Sequence, residues 1–115
     1  MTKVFLHIEG LAVLLVCLYF YQWLNFSWIL FIILLFTPDL AALGYLIHVK
    51  IGAILYNIVH TYTFSLIIVM IGFYIPNDIF LAVGLICTAH IGMDRLCGFG
   101  LKYPTAFKDT HFNRI

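Results

Sequence analysis

Four apolar stretches, each about as long as a membrane-spanning helix, follow one another along this chain with short polar breaks between them. They cover residues 4–24, 28–47, 51–75 and 78–98. A helix needs roughly 20 apolar residues to cross the hydrocarbon core of a bilayer. Only 10% of the 115 residues are charged, whereas about a quarter are charged in soluble domains. Because the breaks are so short, sequential helices should run antiparallel. The sequence therefore predicts an all-α fold, a four-transmembrane-helix up-and-down bundle.

The basic residues predict the orientation of this bundle. Four spans place both termini and the loop at 48–50 on one side of the membrane. All six basic residues lie on or near that side, and the opposite loops carry none: Lys3, Lys50, Arg95, Lys102, Lys108 and Arg114. Basic residues are enriched in cytoplasmic loops. We therefore expect an N-in/C-in, multi-pass protein of the cell inner (cytoplasmic) membrane, with a transmembrane domain at 1–98 and a cytoplasmic C-terminal tail at 99–115.

The net charge limits the expected partners. A formal net charge of +1 provides no electrostatic attraction to a nucleic acid. Membrane lipid is the expected partner, and the sequence is compatible with a homo-oligomer.

Ionisable side chains inside the predicted spans form a second pattern. Such residues are costly in a bilayer and usually face the bundle interior or water. At 1.5 Å rise per residue they all fall about 6–14 Å from the cytoplasmic ends of their spans. The five are Glu9, Asp39, His60, His90 and Asp94. His90 and Asp94 are four residues apart and share one helix face. Every span thus contributes a polar group to one layer, with Asn57, Thr61 and Arg95 expected to line the same pocket.

Three interpretations of this layer remain open from the residues alone. It can be an internal hydrogen-bond and ion-pair network that holds the helices in register. It can be a divalent metal site, most readily for zinc, with Asp39, His60, His90 and Asp94 as ligands and Glu9 as catalytic base. It can also be a haem pocket, because two histidines on different helices of a bundle can ligate iron. Nearby acidic residues disfavour haem, since they would repel its propionates.

The chain resembles a small bacterial membrane family described as domain of unknown function 4260. The residues that carry the resemblance are 7–12, 38–40, 43–45, 52–53, 56–57, 60–62, 89–95 and the tail run Gly98-Phe99-Gly100-Leu101-Lys102-Tyr103-Pro104-Thr105-Ala106-Phe107-Lys108-Asp109-Thr110-His111. This resemblance implies a membrane protein and supplies no activity.

The chain is also similar, more weakly, to YdjM-type membrane-bound metal-dependent hydrolases. The order Pro38-Asp39, His60-Thr61 and His90 to Asp94 carries that similarity. The fuller H-R-x-x-T-H pattern of those proteins is missing, because position 56 is Tyr. The similarity implies a metal-dependent hydrolase-like protein with a polar site open to the cytoplasm.

The expected function follows from these two patterns together. Lys102, Lys108 and Arg114 are expected to bind an anionic lipid or phosphate group at the mouth of the site. The alternative is a non-enzymatic membrane scaffold, carrier or channel subunit, in which the polar layer is structural.

Overall fold

All regular elements in the described part of the chain are helices, as the apolar periodicity predicts. The computed structural model describes residues 2–75, 77–98, 100–101 and 110. Within these residues there are five α-helices: α1 (Thr2–Trp23), α2 (Trp28–Leu34), α3 (Val49–Val59), α4 (Tyr62–Tyr74) and α5 (Asp78–Cys97). A 3-10 helix (Thr37–Leu46) lies between α2 and α3.

Side-chain caps explain where several helices begin. The hydroxyl of Ser27 accepts a hydrogen bond from the backbone amide of Leu30, and so starts α2. Asn77 accepts from two backbone amides at the start of α5. α5 ends at Gly98, whose φ of 94° lies in the left-handed region that glycine adopts without a steric penalty.

Helix α5 is the centre of the molecule and packs between α1 and α4. Gly10 of α1 and Gly92 of α5 bring these two backbones into direct contact. A Cβ atom at Gly10 would lie 2.7 Å from the carbonyl oxygen of Gly92 and 2.6 Å from Cβ of Arg95. Small residues at helix crossings permit this approach. α5 is accordingly the best-buried helix, with 67% of its most apolar stretch covered, against 17% for α1.

Two described helices, α1 and α5, are long and apolar enough to cross a membrane. They agree with the spans predicted at 4–24 and 78–98. The span predicted at 51–75 is a pair of helices, α3 and α4, bent by 43° at His60 and Thr61. Counted as one span, this pair raises the number of candidate spans to three. The span predicted at 28–47 is divided into α2 and the 3-10 helix. The four-span topology therefore stays a prediction.

The interruption of the 28–47 stretch has a local cause. Pro38 lacks a backbone donor and its ring disfavours continuation of an α-helix through its position. The chain leaves the α-helical geometry after Leu34 and continues as a 3-10 helix, with Pro38 in its first turn. This places Asp39 near the start of the 3-10 helix, which packs mainly against α3.

Candidate metal centre

Four side chains from three parts of the fold meet at one point. Asp39 comes from the 3-10 helix, His60 from the break between α3 and α4, and His90 and Asp94 from α5. One ligand atom from each of the four lies within 4.8 Å of the others. The helical spacing of His90 and Asp94 puts both on the same face of α5, as the sequence predicts.

Five of the six separations among these four atoms are short and nearly equal. Nε2 of His60 lies 3.2 Å from Nε2 of His90, 3.2 Å from Oδ1 of Asp39 and 3.4 Å from Oδ2 of Asp94. Nε2 of His90 lies 3.2 Å from the same two carboxylate oxygens. A tetrahedral ion with bonds of about 2.0–2.1 Å holds its ligand atoms about 3.3–3.4 Å apart. Five of the six ligand pairs therefore have the spacing of a tetrahedral zinc site.

The contact of His60 with Tyr56 favours the tautomer in which Nδ1 carries the hydrogen of the neutral ring. Nδ1 of His60 lies 2.9 Å from the carbonyl oxygen of Tyr56. A carbonyl oxygen only accepts, so Nδ1 carries the hydrogen and Nε2 of the neutral ring presents a lone pair. Such a second hydrogen bond fixes the tautomer of metal-ligating histidines. The ring of Tyr56 also stacks on that of His60, with centroids 3.7 Å apart and planes 7° from parallel.

This arrangement of lone pairs favours a bound cation. Nε2 of His60 faces two carboxylate oxygens and a second imidazole nitrogen. A neutral His90 has one N–H, which can donate to only one of its three neighbours. The largely buried carboxylate of Asp94 needs a compensating charge. One divalent cation would balance the two carboxylates and satisfy all four atoms at once.

The four side chains differ in how exposed they are. His60 and His90 are 0% exposed, and the side chain of Asp94 is 10% exposed. The side chain of Asp39 is 46% exposed. The rings of His90 and Phe36 are nearly perpendicular, with centroids 6.2 Å apart. Its Nδ1 atom is buried and has no hydrogen-bond partner among the described residues.

Comparison with known protein families assigns the chain to one of them. The family model described as Domain of unknown function (DUF4260) matches residues 3–115. The chain belongs to the DUF4260 family. A search of curated proteins and a search of solved structures found no match.

Within this DUF4260 chain, the structure separates the other predicted site residues from the four-residue group. Glu9 is an exposed residue of α1 and is not a member of the group. Thr61 is the N-cap of α4: its hydroxyl oxygen lies 3.4 Å from the amide of Phe64 and donates to the carbonyl of Ile58. The backbone carbonyl of Asn57 accepts from the amide of His60. Thr61 and Asn57 therefore shape the break that presents His60.

Arg95 has a supporting position behind the group. It is buried, and its Nη2 atom donates to the backbone carbonyl of His60 at 3.1 Å. Its guanidinium carbon lies 6.0 Å from the centre of the Tyr62 ring. Arg95 thus ties α5 to the break between α3 and α4. Lys102, Lys108 and Arg114 of the DUF4260 tail lie outside the described residues.

Tyr56 is the supporting residue that sequence reasoning missed. It contributes both a stacked ring and a carbonyl acceptor to His60. The signal was available in the sequence: Tyr56 precedes His60 by four residues, which places the two on one face of a helix.

Proposed function

We propose that this DUF4260 protein is a multi-pass membrane protein that binds one zinc ion through Asp39, His60, His90 and Asp94. The observation that carries the proposal is the separation of 3.2–3.4 Å in five of the six pairs of ligand atoms. Zinc is preferred because imidazole nitrogen and carboxylate oxygen are both common zinc ligands and zinc favours four-coordinate geometry. The same donors also suit manganese or iron, which the metal analysis below distinguishes.

The membrane assignment rests on the apolar surface. Large apolar side chains are exposed along α1, including Phe5, Leu15, Tyr19 and Trp23. Exposing such a surface to water costs about 25 cal/mol per Å², whereas lipid removes that cost. In the proposed topology α2 with the 3-10 helix forms the second span, and α3 with α4 forms the third. Broken helices are tolerated at membrane depth where the irregular backbone is buried in protein, as His60 is at the α3–α4 break.

Hydrolysis is the chemistry proposed for the site. A zinc ion held by these ligands would supply an activated water and would polarise the bond to be broken. The protein residues hold the ion, balance its charge and exclude bulk water from the buried side of the site. Asp39 and Asp94 are the carboxylates in position to accept a proton there. Glu9 as general base, and the tail residues Lys102, Lys108 and Arg114 as binders of an anionic group, remain proposals from the sequence.

Metal analysis of protein purified in detergent tests this proposal. We expect one equivalent of zinc in the wild type and none in His90→Ala. His48→Asn is the matched control, since it removes an imidazole outside the group and asparagine can replace His48 as the N-cap of α3. Nitrophenyl phosphate and nitrophenyl ester hydrolysis should be lost with a chelator and restored by zinc. No stoichiometric metal in the wild type would contradict the site, and equal hydrolysis by His90→Ala would contradict the enzyme.

The number of protein ligands supports a second candidate function. Structural zinc sites have four protein ligands, whereas catalytic sites keep one position for water. With all four residues bound, the ion would join the 3-10 helix, the α3–α4 break and α5 as a structural cross-link. A wild type that binds zinc stoichiometrically but hydrolyses neither substrate would favour this function.

A further inference from the structure

We infer that Asp39 is an exchangeable ligand, and that an oxyanion such as a phosphate group takes its place on the metal. This inference rests on the proposed metal site and assigns unequal roles to its four ligands. His60, His90 and Asp94 form a permanent three-residue set. Asp39 closes the site in the resting state and leaves it when the oxyanion binds.

The unequal burial of the four side chains is the first observation behind this inference. The three permanent ligands lie in the protein interior, where Tyr56 and Phe36 contact the two imidazole rings. The carboxylate of Asp39 is nearly half exposed. A ligand that leaves a buried metal must have space to move into and a path for the incoming group. Among the four side chains, Asp39 is the one that lies on an open face of the site.

The backbone that carries Asp39 is the second observation. The 3-10 helix runs for ten residues, whereas 3-10 runs longer than three or four residues are uncommon because their hydrogen bonds are poorer. A 3-10 stretch that interrupts a helix often marks a functional hinge or a strained sequence. This one packs mainly against α3, and a Cβ atom at Gly44 would lie 3.1 Å from Cα of Gly52. Asp39 is therefore carried by an element with few contacts to α5, which holds two of the permanent ligands.

The third consideration is the chemistry of the position that Asp39 leaves. His60, His90 and Asp94 alone would be a two-histidine, one-carboxylate set, which matches the three-ligand pattern of catalytic zinc. The exchange replaces one anionic oxygen by another, so a monoanionic ligand leaves the charge at the metal unchanged. The bond between the metal and Asp39 breaks, and a bond to the oxyanion forms. No electron or proton transfer is required.

Cobalt provides the experimental test, because its visible absorption reports the ligands around the ion. The protein is loaded with Co²⁺ and placed in phosphatidylcholine nanodiscs. Four forms are compared: wild type, Asp39→Asn, Asp94→Asn and the control His48→Asn. Each is titrated with inorganic phosphate, and in a separate arm each is reconstituted with phosphatidic acid. The two arms distinguish a free phosphate from a lipid headgroup as the source of the oxyanion.

We expect Asp39→Asn to retain stoichiometric Co²⁺ and Asp94→Asn to lose it. Phosphate, in one or both forms, should shift the wild-type spectrum. In the wild type, phosphate competes with the Asp39 carboxylate for the metal, and Asp39→Asn removes this competitor. If Asp39 is off the metal in a tenth or less of wild-type molecules, phosphate should bind at least about tenfold more tightly to Asp39→Asn. Equal loss of Co²⁺ from both aspartate variants would overturn the inference while leaving the metal site intact. A phosphate-insensitive spectrum in both arms would also overturn it. No Co²⁺ in the wild type would instead remove the proposed function itself.

Discussion

Replacement of His60 by asparagine should weaken zinc binding by at least about a hundredfold. His60 touches each of the other three ligands at 3.2–3.4 Å. The asparagine side chain ends about 1.5 Å, one bond length, short of the position of Nε2. A metal–ligand distance is normally held within about 0.2 Å of its ideal value. The amide therefore cannot restore the bond without moving the backbone, which Arg95 holds at the carbonyl of His60.

The expected loss of zinc affinity can be scaled from the effect of milder substitutions around metal sites. Loss of a hydrogen-bond partner behind a metal ligand already costs 10–100-fold in affinity. Loss of the ligand itself should exceed the upper end of that range, or about 2.7 kcal/mol. Burial of the site adds to this loss of affinity, because bulk water cannot easily take the place of the missing imidazole. The ion is then left with the two aspartates and a single imidazole.

Competition titration against a fluorescent zinc chelator, in detergent solution, measures this affinity. His48→Asn is the control, since it also removes an imidazole but should leave zinc affinity within about twofold of the wild type. Circular dichroism at matched temperature shows whether each variant keeps its helices. A folded His60→Asn protein that binds zinc as tightly as the wild type would refute the ligand assignment.

Three further predictions concern the residues that support the site. Tyr56→Leu should weaken zinc binding about 2–13-fold, because ring stacking contributes about 0.5–1.5 kcal/mol; Tyr56→Phe keeps the ring and should bind more tightly than Tyr56→Leu in the same titration, so equal affinities would argue against the stacking. Arg95→Met removes a buried charged hydrogen bond worth about 1.5–3 kcal/mol, and should lower the thermal unfolding temperature in detergent and loosen the metal site; an unchanged affinity would show that His60 does not need this tie. Gly92→Ala places a Cβ atom 2.8 Å from the carbonyl oxygen of Gly10, and overpacking of this kind costs about 1–3 kcal/mol; unfolding at the wild-type temperature would contradict the close α1–α5 crossing.

The helical class of the fold was predictable because apolar composition and length constrain it strongly. Stretches of about 20 apolar residues exclude most other architectures. The limits of α1 and α5 fall within two residues of the predicted spans. The interruptions were harder to predict. Pro38 predicted a kink in the second span. That the chain continues there as a 3-10 helix depends on packing against α3.

The bend between α3 and α4 shows another limit of sequence patterns. His60 and Thr61 lie within a continuous apolar stretch, so hydropathy alone predicts one helix. In the structure the hydroxyl of Thr61 caps a new helix, and the α3 carbonyls accept from the amide of His60. A threonine can cap a helix or lie inside one, and the sequence does not state which. The bend matters because it presents His60 to α5.

The sequence predicted which residues form the candidate site better than it predicted how they are arranged. Depth along the helices placed Asp39, His60, His90 and Asp94 in one layer, and the structure brings these four together. The same depth argument included Glu9, which lies on an exposed part of α1. Depth does not fix which face of a helix a residue occupies. For α1 the face is set by the Gly10–Gly92 contact.

The most direct test of the metal site is X-ray absorption at the zinc edge of the purified wild-type protein. Five of the six separations among the ligand atoms are 3.2–3.4 Å, which is the spacing expected for ligands about 2.0–2.1 Å from a tetrahedral ion. We predict about four nitrogen or oxygen neighbours at that distance, with outer-shell scattering from two imidazoles. A sulfur shell near 2.3 Å, or six oxygen neighbours without imidazole scattering, would contradict the assignment of Asp39, His60, His90 and Asp94 as the metal centre.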